Sequence, residues 1–178
     1  MVVASNHQSY LDPVLVGVAL SRSMNYMARS SLFRFAPFGW LIRSVNAFPV
    51  HREGIDTKAM REAIRRVSAG GGVIIFPEGT RTRDGRLGRI RKGAGLVSRR
   101  AKAALVPALV DGAFEAWPRH RVVPRMCSIR VAFGDAIPYA EQKAMSEEDI
   151  AERLTTAMME LERFLTTTQT SCARQSGA

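Results

Sequence analysis

A histidine and an aspartate five positions apart, His7 and Asp12 in Asn6-His7-Gln8-Ser9-Tyr10-Leu11-Asp12, form the combination in this chain best able to move a proton. Histidine is the side chain suited to accept one near neutral pH. A neighbouring carboxylate fixes its tautomer and stabilises the imidazolium that results. Such a pair supplies no nucleophile. The chain has no Gly-x-Ser-x-Gly elbow, and neither Cys127 nor Cys172 lies in a nucleophile signature. The nucleophile is therefore read as a hydroxyl of the substrate, activated by His7. Taken alone, the spacing is met more often by a histidine closing a turn and an aspartate capping a helix.

A second segment changes that balance. Phe76-Pro77-Glu78-Gly79-Thr80-Arg81-Thr82-Arg83-Asp84-Gly85 follows the β-prone run Val73-Ile74-Ile75. Backbone N–H groups around Gly79, the Thr80 hydroxyl and the Arg81 guanidinium suit an anionic oxygen. The planar fork of Arg81 matches phosphate geometry. An ordinary surface turn with solvated arginines would look similar, but it does not account for the His–Asp motif upstream.

Four blocks in order carry a family resemblance: Asn6–Asp12, then Ala47-Phe48-Pro49-Val50-His51-Arg52, then Phe76–Arg81, then Leu105-Val106-Pro107-Ala108-Leu109. With these the chain resembles the glycerolipid acyltransferases, in particular the 1-acylglycerol-3-phosphate (lysophosphatidate) acyltransferases. The first and third blocks are specific; the second and fourth persuade by position. His51 departs from the residue many relatives carry before the arginine.

The resemblance implies a glycerol-3-phosphate acyltransferase-like fold. It also implies transfer of a fatty acyl group from acyl-CoA or acyl carrier protein to a lysophospholipid hydroxyl, giving phosphatidic acid from 1-acylglycerol-3-phosphate, without a cofactor. His7 becomes the general base and Asp12 its orienting partner. Arg52, Glu78, Gly79, Thr80 and Arg81 fall on acceptor- and phosphate-binding positions, and Pro107 on a weaker position for the acyl donor or for structure. Ionised Glu78 cannot bind phosphate, so it is expected to hold Arg52 or Arg81 or to meet a glycerol hydroxyl. Residues 1–165 are read as the catalytic domain and 166–178 as a polar, disordered tail. Relatives carry a helical, membrane-binding segment ahead of the histidine. Only six residues precede His7, so a fragment, a mis-assigned start or a minimal form is expected. The competing readings are an acyltransferase for another lysophospholipid or hydroxylated lipid, and a non-catalytic lipid- or nucleic-acid-binding protein on the same scaffold. A binding module has no need of the intact His7–Asp12 pair.

Composition narrows the partners. The 178 residues suit one domain, and a hydrophobic share of 46% excludes a disordered chain. Lys and Arg number 26 against 16 Asp and Glu, so a charge of +10 calls for an anionic partner. No zinc finger, RNA-recognition signature or Walker A loop is present, so nucleic acid is not expected. His7, His51 and His120 lack metal-ligand spacing; the last two are read as surface or supporting residues. Two cysteines in a chain of this length fit a reducing compartment. There is no secretory signal, and no apolar run approaches the roughly 20 residues of a spanning helix. Peripheral attachment to an anionic membrane surface, on its cytoplasmic face, is the expectation. The +10 surface and the aromatic stretch at Phe35, Phe38 and Trp40 would provide it. Two basic runs, Arg83 to Lys92 and Arg119 to Arg130, are solvated surface by default but could hold lipid headgroups or donor phosphates.

The positioning elements read as alternating strands and helices, which predicts an α/β protein with a mixed, largely parallel central sheet flanked by helices. Strands are expected at 2–4, 24–28, 47–50, 73–76, 104–110 and 128–133. Helices are expected from Asp12 as cap, from Asp56 to Gly70, from 92 to 102, and from Ser146 with Ile150, Leu154, Met158, Leu161 and Leu165 on one face. Residues 30–43 read as a mixture of core and bilayer-facing surface. Pro107 predicts an edge or a bulge. His7, Arg52 and Glu78–Arg81 each follow a strand directly, where ligand sites of such sheets collect.

Overall fold

The computed structural model describes residues 1–51 and 56–175, with side chains as far as residue 167. Arg52 therefore lies outside the described residues. Strands β1 (Val2–Ser5), β2 (Met24–Arg29), β3 (Ala47–Val50), β4 (Gly72–Ile75), β5 (Leu105–Asp111) and β6 (Arg130–Phe133) form one sheet in the order β3-β2-β4-β1-β5-β6. The first five run parallel, and β6 lies antiparallel against β5.

The pleat sorts the apolar residues into two layers. Val2, Ala4, Val73, Ile75, Leu105 and Leu109 share one core cluster, and Val3, Ile74, Ala108 and Val110 the other. The larger cluster is covered by α3 (Thr57–Ser68), α4 (Gly93–Arg100) and α7 (Glu147–Gln175), the smaller by α1 (Asp12–Val18) and the start of α5 (Ala113–Ala116). Two further helices, α2 (Ala36–Ser44) and α6 (Tyr139–Gln142), complete the described set. With both faces covered, β1 and β4 are buried throughout, as parallel strands must be.

Local signals explain the helix ends. The Asp56 carboxylate accepts from the Lys58 and Ala59 amides, at 3.0 and 2.9 Å, and caps α3. Those bonds, with the His51 amide, pull its pKa down to about 2. Ser146 and Asp149 exchange the two hydrogen bonds of a capping box at the start of α7. Gly70, at φ +87°, stops the chain after α3.

Four segments correct or refine the expectations. Asp12 does not cap α1: Leu11 holds the cap position without a side-chain bond, and the aspartate turns back toward the preceding loop. Of the two alternatives for Pro107 the edge is excluded, because β5 lies between β1 and β6, and the bulge is found: Val106 and Pro107 stand against the three residues Gly134, Asp135 and Ala136. The Pro107 carbonyl accepts from Gly134, just past the end of β6, so the missing N–H faces the break between that ladder and the Leu105–Ile137 bridge. In the segment after 165, α7 continues as far as Gln175. Propagation adds a backbone bond per residue once a helix exists, and the Thr166 and Thr167 hydroxyls bond back one turn. Finally, residues 30–43 are mostly surface, not a mixture: a 3-10 turn at Ser30–Phe33 leads into α2, and Leu32, Phe35, Phe38, Trp40 and Leu41 are all exposed.

Candidate active site

Parallel pairing of β1 with β4 places Ala4 beside Ile75, so the chain leaves both strands at the same rim of the sheet. Each of these strands runs directly into one of the two specific motifs. Several bonds then lock the motifs together. The His7 amide donates to Glu78 Oε1 at 2.7 Å, and the Thr82 amide donates to the His7 carbonyl at 2.8 Å. Asn6 bridges to the third strand of the rim, giving and taking 2.8 Å bonds with the Val110 backbone.

Within this frame His7 Nδ1 lies 2.8 Å from Asp12 Oδ2. The same oxygen accepts from the amides of Gln8 and Ser9, at 2.6 and 2.7 Å. An oxygen gathering that many donors acts as a carboxylate acceptor, so Nδ1 carries the proton and the Nε2 lone pair is left for other work. Asp12 is fully buried and His7 nearly so. Phe76 stacks on the imidazole with ring centroids 4.2 Å apart. The imidazole is thus fixed in position, in tautomer and in ring plane.

Glu78 is buried, and its carboxylate also accepts from the Gly88 amide at 3.1 Å. A Cβ at Gly88 would sit 2.6 Å from that oxygen, so only glycine lets the loop approach this closely. Burial pushes the Glu78 carboxyl above the usual carboxylate range, against the pull of the two backbone bonds. Glu78 therefore ties the His7 segment to the loop beyond β4. Gly79, at φ +74°, donates its own N–H to the Phe76 carbonyl and forms the turn. Thr80 is exposed beside it. Arg81 sits over the Tyr10 ring, 3.5 Å from its centroid, and its Nη1 is buried without a protein partner among the described residues. That donor is directed by Tyr10, a residue of the histidine motif.

Beyond Glu78 and Arg81 opens a groove of about 1270 Å³, walled by the loop through Arg83, Arg86, Arg89 and Arg91 and by the first turns of α7. His7, Asp12, Glu78, Gly79, Thr80 and Arg81 are brought to one rim. Pro107 is not: it pairs with Ala4 inside the sheet, three residues of strand before His7, or about 10 Å. Sequence reading missed four contributors, namely Phe76 under the imidazole, Tyr10 under the guanidinium, Ser9 and Gly88. The first three lie inside the motifs, and their proximity was the signal that could have found them. Gly88 had none.

Residues 1–111 match the family model described as acyltransferase, more than half of the chain. The chain belongs to the acyltransferase family. Among its relatives is the chloroplastic 1-acyl-sn-glycerol-3-phosphate acyltransferase of Arabidopsis thaliana. The two are 32% identical over 121 residues, 66% of this chain and 33% of the relative. The Bacillus subtilis 1-acyl-sn-glycerol-3-phosphate acyltransferase is 34% identical over 112 residues, 62% of this chain and 55% of its own. This acyltransferase-family chain thus spans between a third and just over half of such relatives. The crystal structure of the 1-acyl-sn-glycerophosphate acyltransferase of Thermotoga maritima has the same fold, with a TM-score of 0.78 at 23% identity over 92% of this chain and 66% of that one.

Proposed function

We propose that this chain transfers a fatty acyl group from a thioester, acyl-CoA or acyl carrier protein, to the free hydroxyl of 1-acylglycerol-3-phosphate, giving phosphatidic acid. The observation that carries the reading is the 2.8 Å His7 Nδ1–Asp12 Oδ2 bond, which leaves the Nε2 lone pair to act as a base on a substrate hydroxyl. Nε2 takes the hydroxyl proton as the acceptor oxygen attacks the thioester carbonyl. The tetrahedral adduct collapses by breaking the C–S bond, and the imidazolium returns its proton to the departing sulfur. Asp12 stabilises the imidazolium meanwhile.

Arg81 and Arg52 are the residues for the acceptor phosphate; a charge-assisted bond from Arg81 Nη1 would satisfy a donor the protein leaves unpaired. Thr80 is exposed next to Arg81 in the same loop. The arginine-walled groove suits the anionic portion of the donor. No described helix is long and apolar enough to cross a membrane. Peripheral attachment at an anionic surface, the cytoplasmic face of a membrane, fits a lipid substrate and the +10 charge. The exposed α2 face, with Trp40 at 73% exposure, is one candidate contact.

The test is thiol release from acyl-CoA and acyl carrier protein with a panel of lysophospholipids, products identified by mass. Turnover that requires lysophosphatidate supports the reading. Preference for a phosphate-free acceptor would reassign the substrate, and absence of thiol release would remove the enzyme.

A further inference from the structure

β5 ends at the same rim as β1 and β4, and the long connection from Trp117 to Ile129 meets the histidine motif at Ser9 and Tyr10 before β6 returns. Its base is fastened to the site. Ser9 Oγ donates to the Trp117 carbonyl at 2.8 Å, and the Trp117 ring lies 5.4 Å from that of Tyr10. The indole N–H donates to the Arg121 carbonyl, while Arg125 donates through its amide to Ala116 and through Nε to the Glu115 carbonyl. The tip is the reverse of buried. Val122, Val123 and Met126 are 88, 67 and 100% exposed. The segment between Glu115 and Asp135 contains no aspartate or glutamate and four arginines. Arg130 is paired with Asp111 at 2.6 Å and Arg125 is turned to the Glu115 carbonyl, while Arg119 and Arg121 are exposed beside the tip.

We infer that this loop docks on an anionic lipid leaflet, with Val122, Val123 and Met126 entering the headgroup–acyl boundary and the flanking arginines meeting lipid phosphates. The inference rests on the lipid-acyltransferase reading and names the surface through which that site meets its acceptor. Charge selects the occupant. An apolar tip seeking a protein groove has no need of a surround with no carboxylates, whereas an anionic leaflet attracts each cation near it. Docking through a loop hydrogen-bonded to Ser9 also fixes the height of His7 above the membrane. The lipid hydroxyl then reaches the imidazole without the acceptor leaving the bilayer.

The experiment is co-flotation of the chain with phosphatidylcholine vesicles, with and without phosphatidylglycerol. It is paired with turnover of lysophosphatidate in those vesicles and of a short-chain acceptor free in solution. The combined variant Val122→Ser, Val123→Ser, Met126→Ser is expected to lose about tenfold or more in partitioning. It should lose vesicle turnover in proportion and keep turnover of the soluble acceptor. Arg121→Gln is expected to weaken binding roughly fivefold on anionic vesicles and not on neutral ones. These positions are exposed, so thermal melts should match the parent. Unchanged flotation of the triple variant overturns the inference. So does parent binding that ignores anionic lipid, or self-association of the parent that the triple variant abolishes without vesicle binding. A chain that floats through this loop yet releases no thiol with any acceptor would sustain the docking surface and sink the enzymatic reading instead.

Discussion

The two motifs that meet at the sheet rim are built to opposite rules. On the His7 side the polar groups are sunk and held: the imidazole between Asp12 and Phe76, its own amide and carbonyl taken by Glu78 and Thr82. On the Arg81 side the chain runs through exposed Gly79, Thr80, Arg83, Arg86 and Arg89 around an open groove. Proton transfer needs a fixed distance and a fixed tautomer, so that side is closed to alternatives. Anion recognition works through long side chains over several ångströms and tolerates movement. Substitutions on the closed side should therefore cost rate, and those on the open side affinity.

The hardest blow to the comparison is His7→Ala. Transfer is expected to fall by about two to four powers of ten while vesicle binding and the thermal melt persist; near-normal turnover by the folded variant would falsify the base assignment. Asp12→Asn comes next. Its three donors would meet an amide in place of a carboxylate, and the imidazolium would lose its counter-charge. A loss of at least about a hundredfold in kcat is expected, together with roughly 1–3 kcal/mol in stability by chemical denaturation. A change in KM alone would move Asp12 to the open side.

Arg81→Ala should behave differently. One charge-assisted bond is worth roughly 1.5–3 kcal/mol, or about one to two decades of affinity for a phosphate-bearing acceptor. A phosphate-free acceptor should respond little, and equal losses on both would make Arg81 structural. Tyr10→Leu removes the ring beneath the guanidinium and should give a weaker version of the same KM effect, while Tyr10→Phe keeps it.

The smallest expected effect sits at the join. The Glu78 carboxyl is raised by burial, so the folded chain binds its proton more tightly than the unfolded chain does. The stability this contributes is present below the unfolded carboxylate range and is lost as pH rises through the folded value. Glu78→Gln cannot make that gain. The melting temperature of the parent relative to the variant should therefore rise as pH falls from neutral toward about 4.5. A difference that is flat with pH would mean that burial does not govern this carboxyl.

Much of this arrangement was legible from residue types. Strands β1 and β4 announced themselves by β-branched runs and β3 and β5 by short apolar runs, and the parallel order followed from alternation with amphipathic helices. The His7–Asp12 pair and the Glu78–Arg81 loop were visible because reactive side chains sat directly after such strands. What escaped was decided by long-range approach. That Glu78 would accept from the His7 and Gly88 amides depends on how closely Gly88 returns, 10 residues later. Pro107 announced an edge or a bulge, and only the place of β6 beyond β5 decides between them. The exposure of Phe35, Phe38 and Trp40 agrees with the expected surface role of that stretch, but how residues 30–43 divide between core and surface could not be read from a pattern in which both use the same residues.

The strand order has a consequence for the chain as it is made. β1 is completed by residue 5, yet its neighbours are β4, from residue 72, and β5, from residue 105. Until β5 has left the ribosome, His7 has no wall on one side and Asn6 no Val110 to hold. From residue 7 until β5 emerges, about a hundred residues later, a nascent chain carries this histidine without the neighbours that hold it. The site is assembled only with the closing of the sheet, and the proposed base has no half-built form along the way.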